Sequence, residues 1–278
     1  MELVDVNSET FRHMNSLPEH RKLCSDILSF FKDQHGISGA FIGGSGASGG
    51  MDFQSDLDLG FLCSSDEARE KIWSKRFDWN LPPWFHRMDA DHVKPYFIIY
   101  LFEPSIHVDL IFYTNEDLPP QAGGPFTLAF EQGAQLGSWI SEVNKPFDKV
   151  VDWSNVVHEE ERIWTWIHYA WCHIARGEYY DIASDFAFLR RIPHSWFARL
   201  NGADQFNARR LEARGEFQFI EKMKLCYPIP DRVSLKTALL NLIEIHNEQR
   251  DQINKLIFPP WTTKQAARDK ITKLVSEI

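Results

Sequence analysis

Residues 41–62 constrain the fold and function of this chain more than any other stretch, because they place two acidic side chains at a fixed spacing after a flexible turn. A short apolar segment precedes a Gly- and Ser-rich turn at 43–50. A strand-like run follows, in which Asp56 and Asp58 alternate with leucines. Successive side chains of a strand point to opposite faces, so the pattern predicts that both carboxylates lie on the same face.

The two carboxylates would repel each other at neutral pH unless a proton or a cation neutralises them. Oxygen ligands without Cys or His suit Mg²⁺, which commonly shares its coordination shell with substrate phosphates. Gly44 and Ser45 in the turn offer backbone N–H groups and a hydroxyl that can approach a triphosphate. The alternative is that Asp56 and Asp58 are ordinary turn or capping residues.

A third acidic residue, Asp109, interrupts the apolar run at 106–114. An unpaired charge inside such a run is expensive to bury, which favours a functional role. A purely structural aspartate is the competing interpretation. His107 is two residues earlier and is predicted to share the face of Asp109, either to assist it or as a structural histidine.

The pattern changes near residue 150. Before it, apolar strand-like runs at 37–42, 55–63, 95–102 and 106–114 are mixed with helical segments, and a loop is expected at 77–85 and another at 119–125. After it, only helical periodicity is found, at 158–176, 181–191, 205–224 and 234–256. The chain is therefore predicted to be α+β: an N-terminal domain of residues 1–150, with a mixed sheet flanked by helices, and a C-terminal all-helical bundle of residues 151–278.

Helix signals in the first half predict a helix at 18–35, with Ser16 as its N-cap and Gly36 as its stop, and a second helix that ends near Arg76. The segment 77–85 between this second helix and the next strand is rich in aromatic residues and proline. It is expected to be an insertion that covers a neighbouring surface.

Charge and composition narrow the function further. Residues 1–150 carry 12 Lys and Arg against 22 Asp and Glu, whereas the rest of the chain is nearly balanced. An acidic half argues against a nucleic-acid platform, which needs clustered Lys and Arg. It suits a metal-dependent site or a cationic small substrate, although simple solubility explains it equally well.

The lack of a membrane-helix or signal-peptide pattern, together with the cysteine usage, predicts a cytoplasmic protein. No apolar run approaches the roughly 20 residues of a membrane helix, and the N-terminus lacks the pattern of a signal peptide. The four cysteines are scattered without a CxxC pair, which fits reduced thiols rather than a disulfide framework or a zinc site.

The spacing of these residues resembles a known signature. Gly44-Ser45, ten intervening residues, Asp56-Leu57-Asp58 and then Asp109 are similar to the pattern of the DNA polymerase beta-like nucleotidyltransferase superfamily. The resemblance covers roughly residues 20–115. The length and the helical second half are similar to those of the aminoglycoside and lincosamide adenylyltransferases, which inactivate antibiotics.

The resemblance implies roles for individual residues. Gly44 and Ser45 would bind the triphosphate, and Asp56 and Asp58 would hold Mg²⁺. Asp109 would be a third metal ligand or the general base. Further nucleotide contacts are expected from Ser55 and, because the turn contains no basic residue, from Arg190 or from the candidates Arg191, Lys145 and Lys149.

The implied reaction transfers a nucleoside monophosphate, AMP from ATP in the first instance, to a hydroxyl of a small molecule and releases pyrophosphate. Mg²⁺ and ATP or another NTP are the expected cofactor and co-substrate. Two alternatives stay open: a protein or RNA acceptor, and a catalytically silent regulator that only binds nucleotide. The sequence leaves a homodimer open, and it fixes neither the acceptor nor the base.

Overall fold

The computed structural model describes residues 9–118, 124–145, 151–202, 212, 217–257 and 265–278. The chain divides into two compact units, Met1–Pro146 and Phe147–Ile278. The first unit contains the strands and the second is helical. The predicted α+β class is therefore confirmed. The predicted loop at 119–125 lies mostly outside the described residues.

Six strands form one mixed sheet in the first unit. In chain order they are β1 Ile37–Ile42, β2 Leu57–Cys63, β3 Trp84–Asp89, β4 Phe97–Phe102, β5 Ile106–Tyr113 and β6 Thr127–Glu131. Their order across the sheet is β3-β4-β5-β2-β1-β6. Strands β2 and β5 are parallel, and the other neighbours are antiparallel.

Helices of this unit pack on both faces of the sheet. They are a 3-10 helix Glu9–Met14, α1 Pro18–Lys32, α2 Gly44–Ser48, α3 Asp66–Ser74 and α4 Gln135–Val143. On one face, Phe31 of α1 packs against Phe61 and Phe112 in the main core. On the other face, α4 contributes to a smaller core around Phe41 and Tyr113.

The second unit is built from helices with a core of their own. They are α5 Ser154–Arg176, α6 Tyr179–Leu200, α7 Phe217–Lys224, α8 Arg232–Ile253 and α9 Gln265–Ser276. Trp164 is buried in this core, and Trp171 donates from its indole nitrogen to the Leu274 carbonyl at 3.0 Å. No helix in the described part of the chain is both long and apolar enough to span a membrane.

Several sequence predictions need correction. Leu17, not Ser16, occupies the N-cap of α1. The segment 77–85 is not a loop throughout, since Trp84 begins the edge strand β3. Trp79 packs into the core, with its ring 4.9 Å from that of Phe31, so it covers no open surface.

Other elements were missed or misjudged in length. Strand β6 and helices α4 and α9 were not predicted. Helix α6 extends well beyond residue 191 and includes Pro193. Of the helix predicted at 205–224, only α7 and residue 212 are described.

Candidate functional site

Asp58 and Asp109 lie side by side on neighbouring parallel strands. They are register partners between β2 and β5. Both are partly exposed, whereas Leu57 and Leu59 of β2 are buried on the opposite face. The alternation of apolar and acidic residues thus anchors one side of the strand in the core and leaves the two carboxylates on the other side.

Asp56 lies just before β2, in a segment held by a tight turn. The Ser55 hydroxyl donates to Asp52 Oδ1 at 3.1 Å and accepts from the Asp52 backbone N–H at 2.9 Å. The buried His20 of α1 donates from Nε2 to the Ser55 carbonyl oxygen at 3.0 Å. These bonds fix the backbone that presents Asp56.

His20 is therefore a positioning residue that sequence reasoning missed. A histidine on the apolar face of α1 has the pattern of a core residue, and its carbonyl partner is 35 positions away. The predicted nucleotide contact of Ser55 stays a prediction. Its hydroxyl is engaged with Asp52 in this structure.

The Gly/Ser turn packs directly against Asp58. The Gly43 N–H donates to the Asp58 carbonyl oxygen at 2.8 Å. Gly44 has a φ of +52°, and a Cβ built there would lie 1.9 Å from Asp58 Oδ2. Position 44 thus requires glycine for two separate reasons, its backbone angle and the space taken by the carboxylate.

Ser45 follows at the start of α2. Its Oγ is buried, and no hydrogen-bond partner for it is found within the described residues. The first N–H groups of any helix also lack partners within the helix. An unpartnered buried hydroxyl beside Asp58 fits a site that receives a polar ligand.

Asp109 has an unusual electrostatic environment. His107 Nε2 lies 2.8 Å from Asp109 Oδ1, but the two atoms lack the alignment of a hydrogen bond. Burial raises the pKa of Asp109, the neighbouring His107 opposes that rise, and the charge of Asp56 adds to it. A carboxyl group with a raised pKa beside two other acids is suited to accepting a proton.

The donor set fits a hard divalent cation. The available atoms are carboxylate oxygens and a hydroxyl, which Mg²⁺ prefers. Over the described ranges, no three His, Cys, Asp or Glu side chains are arranged to hold a metal ion by themselves. Mg²⁺ typically uses only one or two carboxylates, with substrate phosphates and water completing its shell. Asp56, Asp58 and Asp109 as metal ligands therefore stay a prediction.

The predicted basic residues have other contacts. Arg190 belongs to the helical unit, where its guanidinium lies 4.1 Å from the Tyr227 ring centre and donates to the Cys226 carbonyl. Lys145 is exposed and pairs with Glu142. Lys149 lies outside the described residues. A nucleotide contact from Arg190 stays a prediction.

No protein-family model and no curated protein matches the sequence. Among solved structures, the chain is similar to an aminoglycoside 6-adenyltransferase from Bacillus subtilis, with a TM-score of 0.41 and 11% identity over 92% of this chain and 96% of that one. It is also similar to a nucleotidyltransferase-like protein from Exiguobacterium sibiricum, with a TM-score of 0.35 and 12% identity over 92% of this chain and 88% of that one.

Proposed function

We propose that this protein is a Mg²⁺-dependent nucleotidyltransferase, which moves a nucleoside monophosphate from an NTP to the hydroxyl of a small molecule. One observation carries the proposal: Asp58 and Asp109 are direct register partners, and the glycine turn packs against Asp58. Carboxylates beside a glycine turn provide metal ligands and a cradle for phosphates in one place.

Each residue has a distinct task in this reaction. Asp56 and Asp58 hold Mg²⁺, which neutralises the triphosphate when bound. Gly44 lets the backbone approach the phosphates, and the Ser45 hydroxyl donates to a phosphate oxygen. His20 keeps Asp56 in position through the Ser55 carbonyl.

Asp109 acts as the general base. The acceptor oxygen bonds to the α-phosphorus, the bond from that phosphorus to the bridging oxygen of pyrophosphate breaks, and the acceptor proton passes to Asp109. The raised pKa of Asp109 supports this assignment, because a base whose pKa is closer to the working pH takes up the proton more readily. The first transferred group to test is AMP, with ATP as its donor.

The acidic balance of residues 1–150 favours a neutral or cationic acceptor over an anionic one. Aminoglycosides and lincosamides are the first compounds to test, since the chain length, the helical second half and the acidic balance resemble those of the enzymes that adenylylate them. Inactivation of such an antibiotic would be the consequence for the cell.

The test combines nucleotide binding with turnover. Calorimetry with Mg²⁺ and a non-hydrolysable ATP analogue measures binding, and pyrophosphate release measures transfer to a panel of hydroxylated compounds. We expect Asp58→Asn to abolish both, whereas the exposed Asp26→Asn, on α1, serves as the matched control. Unchanged turnover in Asp58→Asn would refute the mechanism.

Other outcomes identify the alternatives. Nucleotide binding by the wild-type protein without transfer to any compound would indicate the silent regulator. Transfer to an added protein or RNA, with none to small molecules, would replace the acceptor but keep the chemistry.

A further inference from the structure

The register of the sheet extends the row of acids onto two further strands. Asp109 of β5 is the partner of Ile99 on β4, and Ile99 is the partner of Met88 on β3. Cross-strand partners point to the same face of a sheet. Asp58, Asp109, Ile99 and Met88 therefore form one row across four strands, with neighbours about 4.8 Å apart.

A second row runs beside the first. His107 of β5 is the partner of Leu101, and Leu101 is the partner of His86 on β3. These residues stand two positions from Asp109, Ile99 and Met88 on their strands and so share their face. Beyond Asp109, the two rows thus consist of three apolar side chains and two imidazoles, Met88, Ile99, Leu101, His86 and His107.

This part of the sheet face is open, in contrast to its reverse side. Met88 is 43% exposed and the His107 side chain 42% exposed, and Ile99 and Leu101 are half-buried. On the reverse face, Ile98 and Tyr100 of β4 are almost fully buried in the main core. An apolar surface that continues from a catalytic carboxylate and stays accessible is suited to binding a ligand.

The order of the strands determines on which side of Asp109 the triphosphate and the acceptor lie. The turn at Gly44 and Ser45 follows β1, which flanks β2 on the side away from β5. Under the proposed function the triphosphate lies on that side. An in-line displacement requires the attacking oxygen to approach from the side opposite the leaving pyrophosphate. The strands beyond Asp109 in the opposite direction are β4 and β3.

We infer that the open face of β3 and β4, formed by Met88, Ile99, Leu101, His86 and His107, is the acceptor platform of the proposed transferase. This inference rests on the proposed function. The platform takes a hydroxylated ring compound whose C–H face packs on the apolar side chains while one hydroxyl reaches Asp109. The imidazoles hydrogen-bond to further hydroxyl or amino groups at the edge of the ring.

The width of the platform sets the size of the ligand. Asp109 and Met88 are two strands apart, which is about 10 Å. This span accommodates a molecule of more than one ring. Apart from Asp109 the two rows beyond β2 contain no carboxylate, so shape and hydroxyl positions, rather than charge, select the acceptor on this surface.

The experiment compares Met88→Gln with Val93→Gln. Both residues are exposed and apolar, but Val93 lies in the turn between β3 and β4, outside the two rows. For the acceptor that the wild-type protein uses best in the pyrophosphate assay, we expect Met88→Gln to raise the acceptor KM about tenfold, the size of a lost apolar contact in a pocket. The KM for ATP and the behaviour of Val93→Gln should match the wild type.

His86→Ala provides a second variant on the same face, and circular dichroism checks that both variants fold. An equal acceptor KM in Met88→Gln, His86→Ala and wild type would overturn the platform while leaving the transferase intact. A change confined to the KM for ATP would overturn it too. If the wild-type protein transfers to no hydroxylated compound, the proposed function fails, and the platform fails with it.

Discussion

Each unit of the molecule places a carboxylate beside a histidine, and the pKa values of the two carboxylates shift in opposite directions. Glu160 of α5 is 5% exposed, 2.9 Å from His246 Nε2 and 2.7 Å from Arg250 Nε. Burial alone would raise its pKa, but the bonds and charges of His246 and Arg250 outweigh burial and lower it. Asp109 is 20% exposed, the neighbouring His107 is poorly aligned for a hydrogen bond to it, and its pKa is raised.

The difference is the one expected between a structural ion pair and the proposed reaction site. Glu160 has partners at both oxygens, so its charge is balanced within the folded protein. Ionising Asp109 has an energetic cost that His107 offsets only in part and that the charge of Asp56 increases, and a bound cation or a proton would relieve that cost. The exposed sheet face beside Asp109 gives such a ligand access, whereas Glu160 is enclosed.

The largest expected effect is on catalysis at Asp109. We expect Asp109→Asn to lower kcat about 10³-fold, because removing a general base typically costs 10² to 10⁴. The assay is pyrophosphate release under saturating ATP and acceptor, with Asp26→Asn as the control. A kcat within threefold of wild type would show that Asp109 has the same structural role as Glu160.

Much of this contrast could be predicted from the sequence. An aspartate inside an apolar run singles out Asp109, and the leucines on either side of Asp58 fix its face. The direct register of Asp58 with Asp109 could not be predicted, since parallel pairing between residues 51 positions apart has no local signal. The ion pairs of Glu160 join residues 86 and 90 positions apart, and for the same reason they could not be predicted from the sequence.

The elements that were missed have weak patterns for physical reasons. Strand β3 is an edge strand with exposed residues on both faces, so its sequence shows no alternation of apolar and polar side chains. Strand β6, at the opposite edge, is uniformly half-buried. Strands β1, β2 and β5 lie inside the sheet, and their burial imposes the apolar runs that made them predictable.

The second-largest expected effect is on the free energy of unfolding and results from substituting Glu160. We expect Glu160→Gln to destabilise the protein by about 3 kcal/mol, because it removes the buried carboxylate that pairs with Arg250, whose pair with the exposed Asp251 is longer, at 3.5 Å. The neighbouring Glu161→Gln is the matched control, since Glu161 is exposed and pairs with Arg162, an interaction worth less than about 1 kcal/mol. Urea titration measures both.

Activity per folded molecule should be unchanged in Glu160→Gln, which distinguishes it from Asp109→Asn. A loss of kcat without a loss of stability would contradict the structural assignment of Glu160. It would also mean that full ion pairing does not mark a carboxylate as structural in this protein.

A third test asks whether the turn and Asp58 work as one site. In Gly44→Ala the new methyl group collides with the Asp58 carboxylate, and we expect kcat/KM to fall about 10²-fold, as displacements near 1 Å commonly do. Gly177→Ala is the control: its φ of +75° is also positive, but nothing lies within 4 Å of the added Cβ. Equal losses in the two variants would attribute the effect to backbone strain alone.

The smallest expected effect is the pH dependence of stability, and its sign differs between the two carboxylates. The lowered pKa of Glu160 gives stability that is present at neutral pH and is lost as pH falls through the folded-state pKa. The raised pKa of Asp109 means that the folded state binds its proton more tightly than the unfolded state does. Ionising Asp109 therefore removes stability as pH rises from about 4, the ordinary range of carboxylic acids, through its folded-state pKa.

Urea titrations from pH 7 down to pH 4, with a chelator to remove metal ions, test this sign. At pH 7, Asp109→Asn should be more stable than wild type and Glu160→Gln less stable. The advantage of Asp109→Asn should shrink toward pH 4, because protonation then neutralises the wild-type carboxylate as well. The deficit of Glu160→Gln should largely persist over this range, because the lowered pKa keeps Glu160 ionised in the folded state. Added Mg²⁺ should reduce the advantage of Asp109→Asn, since a cation held by the neighbouring Asp56 and Asp58 would offset the charge of the wild-type carboxylate. Destabilisation by Asp109→Asn in the chelator at every pH would make Asp109 a second structural acid and remove the contrast with Glu160.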